Sequence, residues 1–258
     1  MTAMTTMTTS TYRHQDEVAG SEGAAQRIVP VILDLVGPIA SVVDVGGGTG
    51  AWLREFQRNG VPKVLLVDVP AVRPSLLIDP SAFLPADMSV SIPALPRMDL
   101  AMSLECAEHL PPAQSSALVD RLASAADVVV FSAAIPSQGG KGHINERPPS
   151  FWAELFAARG FTRRDVLRPR LVHHTSLPWW YRQNLFLYTA AGHVPRGTLA
   201  RDAAELLPCD LDCVHVDVLA RMQNPGLRTA LRMTGASLGR AIRTRLPGAA
   251  KTPARRAP

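Results

Sequence analysis

The apolar positions of this chain change their period several times, and each change marks an element. Ile28, Val31, Ile32, Leu35 and Val36 recur at helical spacing, and Gly37-Pro38 ends the run. An unbroken apolar stretch, Ser41–Val45, then leads into glycines, as a strand buried on both faces would. Ala51 to Asn59 reads as a helix closed by Gly60, and Lys63–Asp68 as a second strand ending in a carboxylate. Further strands are expected at Phe83 to Ala86, Met98 to Leu104, Asp127 to Ala134, Asp165 to Val172 and Gln183 to Ala190. Helices are expected over Gln114 to Ser124 and Ser150 to Arg159.

Strands alternating with helices predict a parallel sheet covered by helices on both faces. The last two strands have only a loop, His173 to Arg182, between them, so they are expected to pair antiparallel as a hairpin. The fold class is therefore α/β, a seven-stranded, mostly parallel sheet with a C-terminal antiparallel hairpin. Residues 1–20, Thr/Met-rich and polar, read as a disordered N-terminus, 21–190 as the domain, and 191–258 as an appendage. In that appendage the pattern weakens, with helices suggested at Leu199 to Leu207, Leu211 to Met222 and Leu227 to Leu246.

Charge alters the picture in one place. The formal net charge is +5, but from Arg221 onward there are nine basic residues and no acid, which leaves the rest with 18 basic against 22 acidic groups. The basic character belongs to a tail, either a solvated extension or a contact for nucleic acid or an anionic surface. No apolar run approaches the roughly 18 residues a membrane span needs, and the start lacks the apolar segment of a secretory signal. Three cysteines argue against a disulfide framework and for the reducing cytoplasm. Nothing in the pattern sets an oligomeric state.

The strongest local signal is Asp44-Val-Gly46-Gly-Gly48-Thr-Gly50, directly between a strand and a helix. Glycines allow a sharp turn and a close ligand, and the helix start offers unpaired N–H groups. Asp68 ends the next strand, 18 residues past Gly50, where a carboxylate can accept two ribose hydroxyls. Dinucleotide sites share these features. The acid before the turn, however, would repel a pyrophosphate and suits a ligand carrying an ammonium and a sulfonium. Asp87, after the short third strand, is placed to accept from an adenine amino group, and the terminal hairpin departs from an all-parallel dinucleotide sheet.

These motifs, followed by Ser103-Leu-Glu-Cys-Ala-Glu-His-Leu110, resemble in order and spacing those of class I S-adenosylmethionine-dependent methyltransferases, which have a Rossmann-like fold. The stretches Phe131 to Glu146 and Phe151 to Phe156 are similar to a group of bacterial methyltransferase-domain proteins, and the resemblance covers about residues 28–190. It implies that Gly46, Gly48 and Gly50 line the methionine part of the cofactor, that Asp68 with Val69 binds ribose, and that Asp87 with Met88 flanks adenine. Asp44, Ser103 and Glu105 complete the expected cofactor set, with Glu105 a candidate for the methionine ammonium.

Glu105, Glu108 and His109 follow the fourth strand at i, i+3 and i+4, and His143 lies in a Gly-rich loop after the fifth. Two carboxylates and two imidazoles suit Mg2+ or Mn2+ with positions open for acceptor oxygens. The Glu-x-x-Glu-His arrangement with a distant His resembles that of metal-dependent small-RNA 2′-O-methyltransferases. Without metal, His109 or His143 would serve as general base beside Glu108. Asn145 and Glu146 read as acceptor contacts or as caps of the following helix. Cys209-x-x-x-Cys213-x-His215 has a zinc-like look without a fourth ligand, and Trp179-Trp180-Tyr181 reads as packing or as an acceptor lid.

The function expected is methyl transfer to an oxygen or nitrogen of a small-molecule acceptor. The alternatives are an RNA 2′-O-methyltransferase using the basic tail, and a non-catalytic protein that keeps the nucleoside site.

Overall fold

The computed structural model describes residues 15–193 and 196–199, with 231, 234 and 235. The chain divides into two compact units, Met1–His215 and Val216–Pro258. The three described residues of the second unit are helical, and the fold below is that of the first.

Seven strands form one sheet: β1 Ser41–Val45, β2 Lys63–Asp68, β3 Phe83–Pro85, β4 Leu100–Leu104, β5 Val128–Ser132, β6 Phe161–Arg164 and β7 Phe186–Ala190. Their order is β3-β2-β1-β4-β5-β7-β6. The first five pair in parallel, and β7 lies antiparallel between β5 and β6. The reversal of order beside β1 makes a crevice at the C-terminal ends of β1 and β4, where open α/β sheets bind ligands.

Alternation along each strand divides the core into two layers. Val42, Leu100, Met102, Val130 and Leu187 face α1 (Gln15–Val36), α2 (Ala51–Arg58), α5 (Leu167–Leu171) and α6 (Trp179–Asn184). Val43, Ala101, Val129, Phe131 and Tyr188 face α3 (Ser115–Ala125) and α4 (Pro149–Ala157). Ile28, Ile32 and Leu35, from the periodic run, are fully buried, and α1 also extends upstream of that run to Gln15. Residues 196–199 return to the end of α1, where Arg196 N–H donates to Val36 O at 3.2 Å and Thr198 N–H to Asp34 O at 2.9 Å.

The sequence expectation fails at the far end of the sheet. The sixth strand is Phe161–Arg164, whereas Asp165 to Val172, expected as that strand, contains α5. The observed strand has a single apolar residue and sits at the sheet edge, where charged side chains are usual. Arg163 substitutes for an apolar packer, its guanidinium 5.2 Å from the Phe186 ring centroid. Val166, Leu167 and Leu171 are buried together by a helical turn instead. Likewise α6 occupies the expected loop and the start of the expected last strand, burying Tyr181, Gln183 and Asn184. The Cys209–Cys213–His215 motif, the basic tail and the three helices expected beyond Leu199 lie outside the described residues, apart from isolated positions.

Among the described residues no helix is long and apolar enough to cross a membrane.

Candidate functional site

The glycine turn sits at the C-terminal edge of β1. Gly46, Gly48 and Gly50 all hold positive φ, at 82°, 59° and 79°, a region costly to residues with a Cβ. A Cβ on Gly46 would lie 2.1 Å from Cys106 Sγ, so the turn and the segment after β4 are in direct contact. A Cβ on Gly48 would meet nothing within 4 Å, which leaves that main chain open to a ligand. Asp68 is fixed beside it: Gly48 N–H donates to Oδ2 at 2.7 Å and Val69 N–H to Oδ1 at 2.6 Å.

Asp44 lies beneath the turn, 1% exposed, with no hydrogen bond to either carboxylate oxygen. Gly47 covers it so closely that a Cβ there would come within 2.3 Å of Oδ2. Burial, and secondarily the charge of Asp68, pushes the Asp44 carboxyl up to about 8. Asp44 is thus closed in beneath the turn by Gly47. Ser103 is also fully buried, beside the Cys106 thiol. Burial, reinforced by Asp68, Glu108 and Asp44, pushes that thiol well above its ordinary value, so it packs as a neutral group. Asp87 is exposed after β3 and accepts from Ser89 N–H at 3.0 Å and Ser89 Oγ–H at 2.6 Å, while Met88 is buried behind it. Val69 is exposed next to Asp68.

Three of the four residues expected to share a metal come together. Ligand atoms of Glu108, His109 and His143 all lie within 4.8 Å of one another. The two imidazoles meet edge to face, their centroids 4.8 Å apart. A short 3-10 turn, Ala107–His109, carries Glu108 inward and His109 toward the edge. The loop after β5 is tied to that turn, since Glu108 O accepts from Ile144 N–H at 2.9 Å and Asn145 N–H at 3.0 Å. Glu108 is fully buried without a well-formed side-chain hydrogen bond, and burial, then the Glu105 charge, raises its carboxyl well above the ordinary range.

Glu105 is the exception. It is a non-glycine residue with positive φ, 49°, and its carboxylate is already engaged. Gln138 Nε2 donates to Oε2 at 2.9 Å and Asn184 Nδ2 to Oε1 at 3.0 Å. Burial still raises its carboxyl above the usual value. Glu105 lies beside Glu108, whose carboxyl it helps raise, and joins the segment after β4 to the loop after β5 and to α6.

Gln138 and Asn184 join this edge of the sheet, yet no local pattern marks them. Gln138 and Asn184 lie 33 and 79 positions from Glu105, and only tertiary structure brings them together. Asn145 is buried and donates to Ser115 Oγ at 2.9 Å. Glu146 binds its own loop, and α4 starts after Pro148 without a side-chain cap, so neither residue is the helix cap that its position suggested.

The chain matches the family model described as a methyltransferase domain over residues 13–166. In fold it is similar to the S-adenosylmethionine-bound structure of an amino pentose methyltransferase from Micromonospora echinaspora involved in calicheamicin biosynthesis. That match has 16% identity and a TM-score of 0.51, covering 73% of this chain and 100% of that one. A sugar N-methyltransferase from a Streptoalloteichus species is similar to the same degree, at 16% identity and a TM-score of 0.51 over 73% of this chain and 99% of its own. No curated protein matches the sequence.

Proposed function

Because this chain belongs to the methyltransferase-domain family and is a class I S-adenosylmethionine-dependent methyltransferase, we propose that its methyl acceptor is a small molecule, modified on oxygen or nitrogen. The observation that carries this reading is the convergence of Glu108, His109 and His143 at the sheet edge, joined to the glycine turn through the Gly46–Cys106 contact.

The residues present fit the cofactor. Asp68 would hold the ribose hydroxyls, its orientation preset by two main-chain donors. Gly48 leaves its surface open, and a positive charge above the turn would draw the buried Asp44 carboxyl, pushed up to about 8, toward its ionised form. Asp87 and Met88 would border the base. S-adenosylmethionine supplies an electrophilic methyl group on a sulfonium.

The remaining work is to place a nucleophile and remove its proton. His109 or His143 would take that proton as general base, and orientation would account for much of the acceleration. Glu108, His109 and His143 would also hold a divalent cation such as Mg2+ or Mn2+, which lowers the pKa of an acceptor hydroxyl. A small acceptor suits a chain whose acids outnumber its bases before Arg221, since a polyphosphate would be repelled there.

The test is label transfer from S-adenosyl-[methyl-14C]methionine into a metabolite extract and into total RNA, with and without Mn2+. Label in the low-mass fraction supports the proposal. Label in RNA alone would overturn it in favour of the 2′-O-methyltransferase alternative.

A further inference from the structure

The loop between β5 and α4 takes its shape from one carboxylate. Ser137, Gly139 and Gly142 all hold positive φ, at 73°, 68° and 80°, and the segment bends through tight turns, the first closed by Gln138 N–H donating to Ile135 O at 3.0 Å. Glu146 ties these turns together, accepting from Ser137 N–H at 2.8 Å through Oε2, and from Gly139 N–H at 2.7 Å through Oε1. The same Oε1 lies 3.0 Å from His143 Nδ1. With two main-chain N–H groups donating to it, the Glu146 carboxylate is an acceptor within this loop, so the ring nitrogen facing it carries the proton.

We infer that Glu146 is a positioning residue for His143, keeping the ring proton on Nδ1 so that Nε2 presents its lone pair to the site. Gly140 makes room for this orientation, since a Cβ there would lie 2.2 Å from His143 Nε2. The His109 ring lies edge to face with that of His143, the centroids 4.8 Å apart. A lone pair on Nε2 is what either a general base or a metal ligand needs, and a second-shell carboxylate commonly fixes it. The inference rests on the reading that His143 serves the acceptor. It adds the residue that sets the tautomer, a role distinct from fastening the loop.

Glutamine at 146 separates the two roles. It keeps one acceptor oxygen for the loop and replaces the other with an NH2 group, so three donors can no longer all be satisfied. Mn2+ titration followed by electron paramagnetic resonance would compare the full-length wild type, Glu146→Gln, His143→Ala and the double variant. Glu146→Gln should weaken Mn2+ binding by about 10–100-fold, and the double variant should bind no worse than His143→Ala. Wild-type affinity in Glu146→Gln, or effects that multiply in the double variant, would overturn the inference. If the wild type takes up no Mn2+, the metal reading fails by itself and the tautomer decides. Long-range 1H–15N spectra of the wild type then show Nδ1–H on His143 if Glu146 positions it, and Nε2–H if it does not. That last measurement needs no variant to fold.

Discussion

Past β1 and β2 the edge of the sheet is shaped by main chain, whereas past β4 and β5 it is shaped by side chains. In the first region the turn Gly46–Gly50 and the N–H groups of Gly48 and Val69 form the surface, and one carboxylate, Asp68, is locked onto them. In the second, Glu105, Gln138 and Asn184 bond to one another across three separate segments. Glu108, His109, His143 and Glu146 form a second such set. A site made of main chain serves a constant ligand and tolerates change around it. A site made of side chains can be re-specified residue by residue, which suits the half that chooses an acceptor. The two meet where Cys106 packs over Gly46.

If the halves are separable, substitutions should divide cleanly between turnover and cofactor affinity. The largest effect is expected from His143→Ala, which removes the base or ligand and should lower methyl transfer by about 10²–10⁴-fold. Its affinity for S-adenosylhomocysteine, measured by calorimetry, should stay that of the wild type. A parallel loss of affinity would show that the acceptor loop also builds the cofactor pocket. Asp68→Ala should do the reverse. Wild-type binding in the micromolar range, about −8 kcal/mol, should weaken by roughly 100-fold, since each hydrogen bond to a charged group contributes about 1.5–3 kcal/mol. Unchanged binding would remove Asp68 from the cofactor site.

The same contrast explains what could be read from the sequence. β1 and β2 have the bounds expected, because an apolar run after a glycine stop, ending in a glycine turn for β1 and in Asp68 and Pro70 for β2, is a local signal. The glycine turn itself was legible for the same reason. β6 was misplaced because its packing depends on Arg163 and Arg168 lying over Phe186, at 5.2 Å and 4.4 Å from the ring centroid, and no hydrophobicity pattern encodes that. Glu108, His109 and His143 could be nominated by residue type and strand end. That Glu105 would also bond to Gln138 and Asn184 depended on a loop and a helix whose positions the sequence pattern had not resolved.

The contact between the halves offers a third test. Gly46→Ala places a Cβ at a φ of 82° and drives it into Cys106. Left-handed strain and overpacking together should cost about 2–4 kcal/mol, read as a lower urea midpoint. Cys106→Ala should relieve part of it, because the nearest clash is with the sulfur at 2.1 Å. No relief would mean that backbone strain and the remaining Cβ of residue 106, at 2.6 Å, account for the loss.

Asp44→Asn probes the main-chain half more gently, through pH. A carboxyl raised on folding to about 8 binds more protons in the folded than in the unfolded chain. Its contribution to stability is therefore best where both states are protonated, below about pH 4. As pH climbs from there to about 8 the wild type should lose roughly 1.4 kcal/mol per unit at most, then level off. Asparagine does not titrate, so the stability of Asp44→Asn relative to wild type, from urea melts at pH 5 to 8, should rise across that window. A bound sulfonium favours the ionised carboxyl, so wild-type affinity for S-adenosylmethionine should increase with pH over the same range and that of the variant should not. A flat stability difference would mean that Asp44 is already charged at pH 5. Water or a cation would then reach beneath Gly47, and the turn would be a looser cover than its packing suggests.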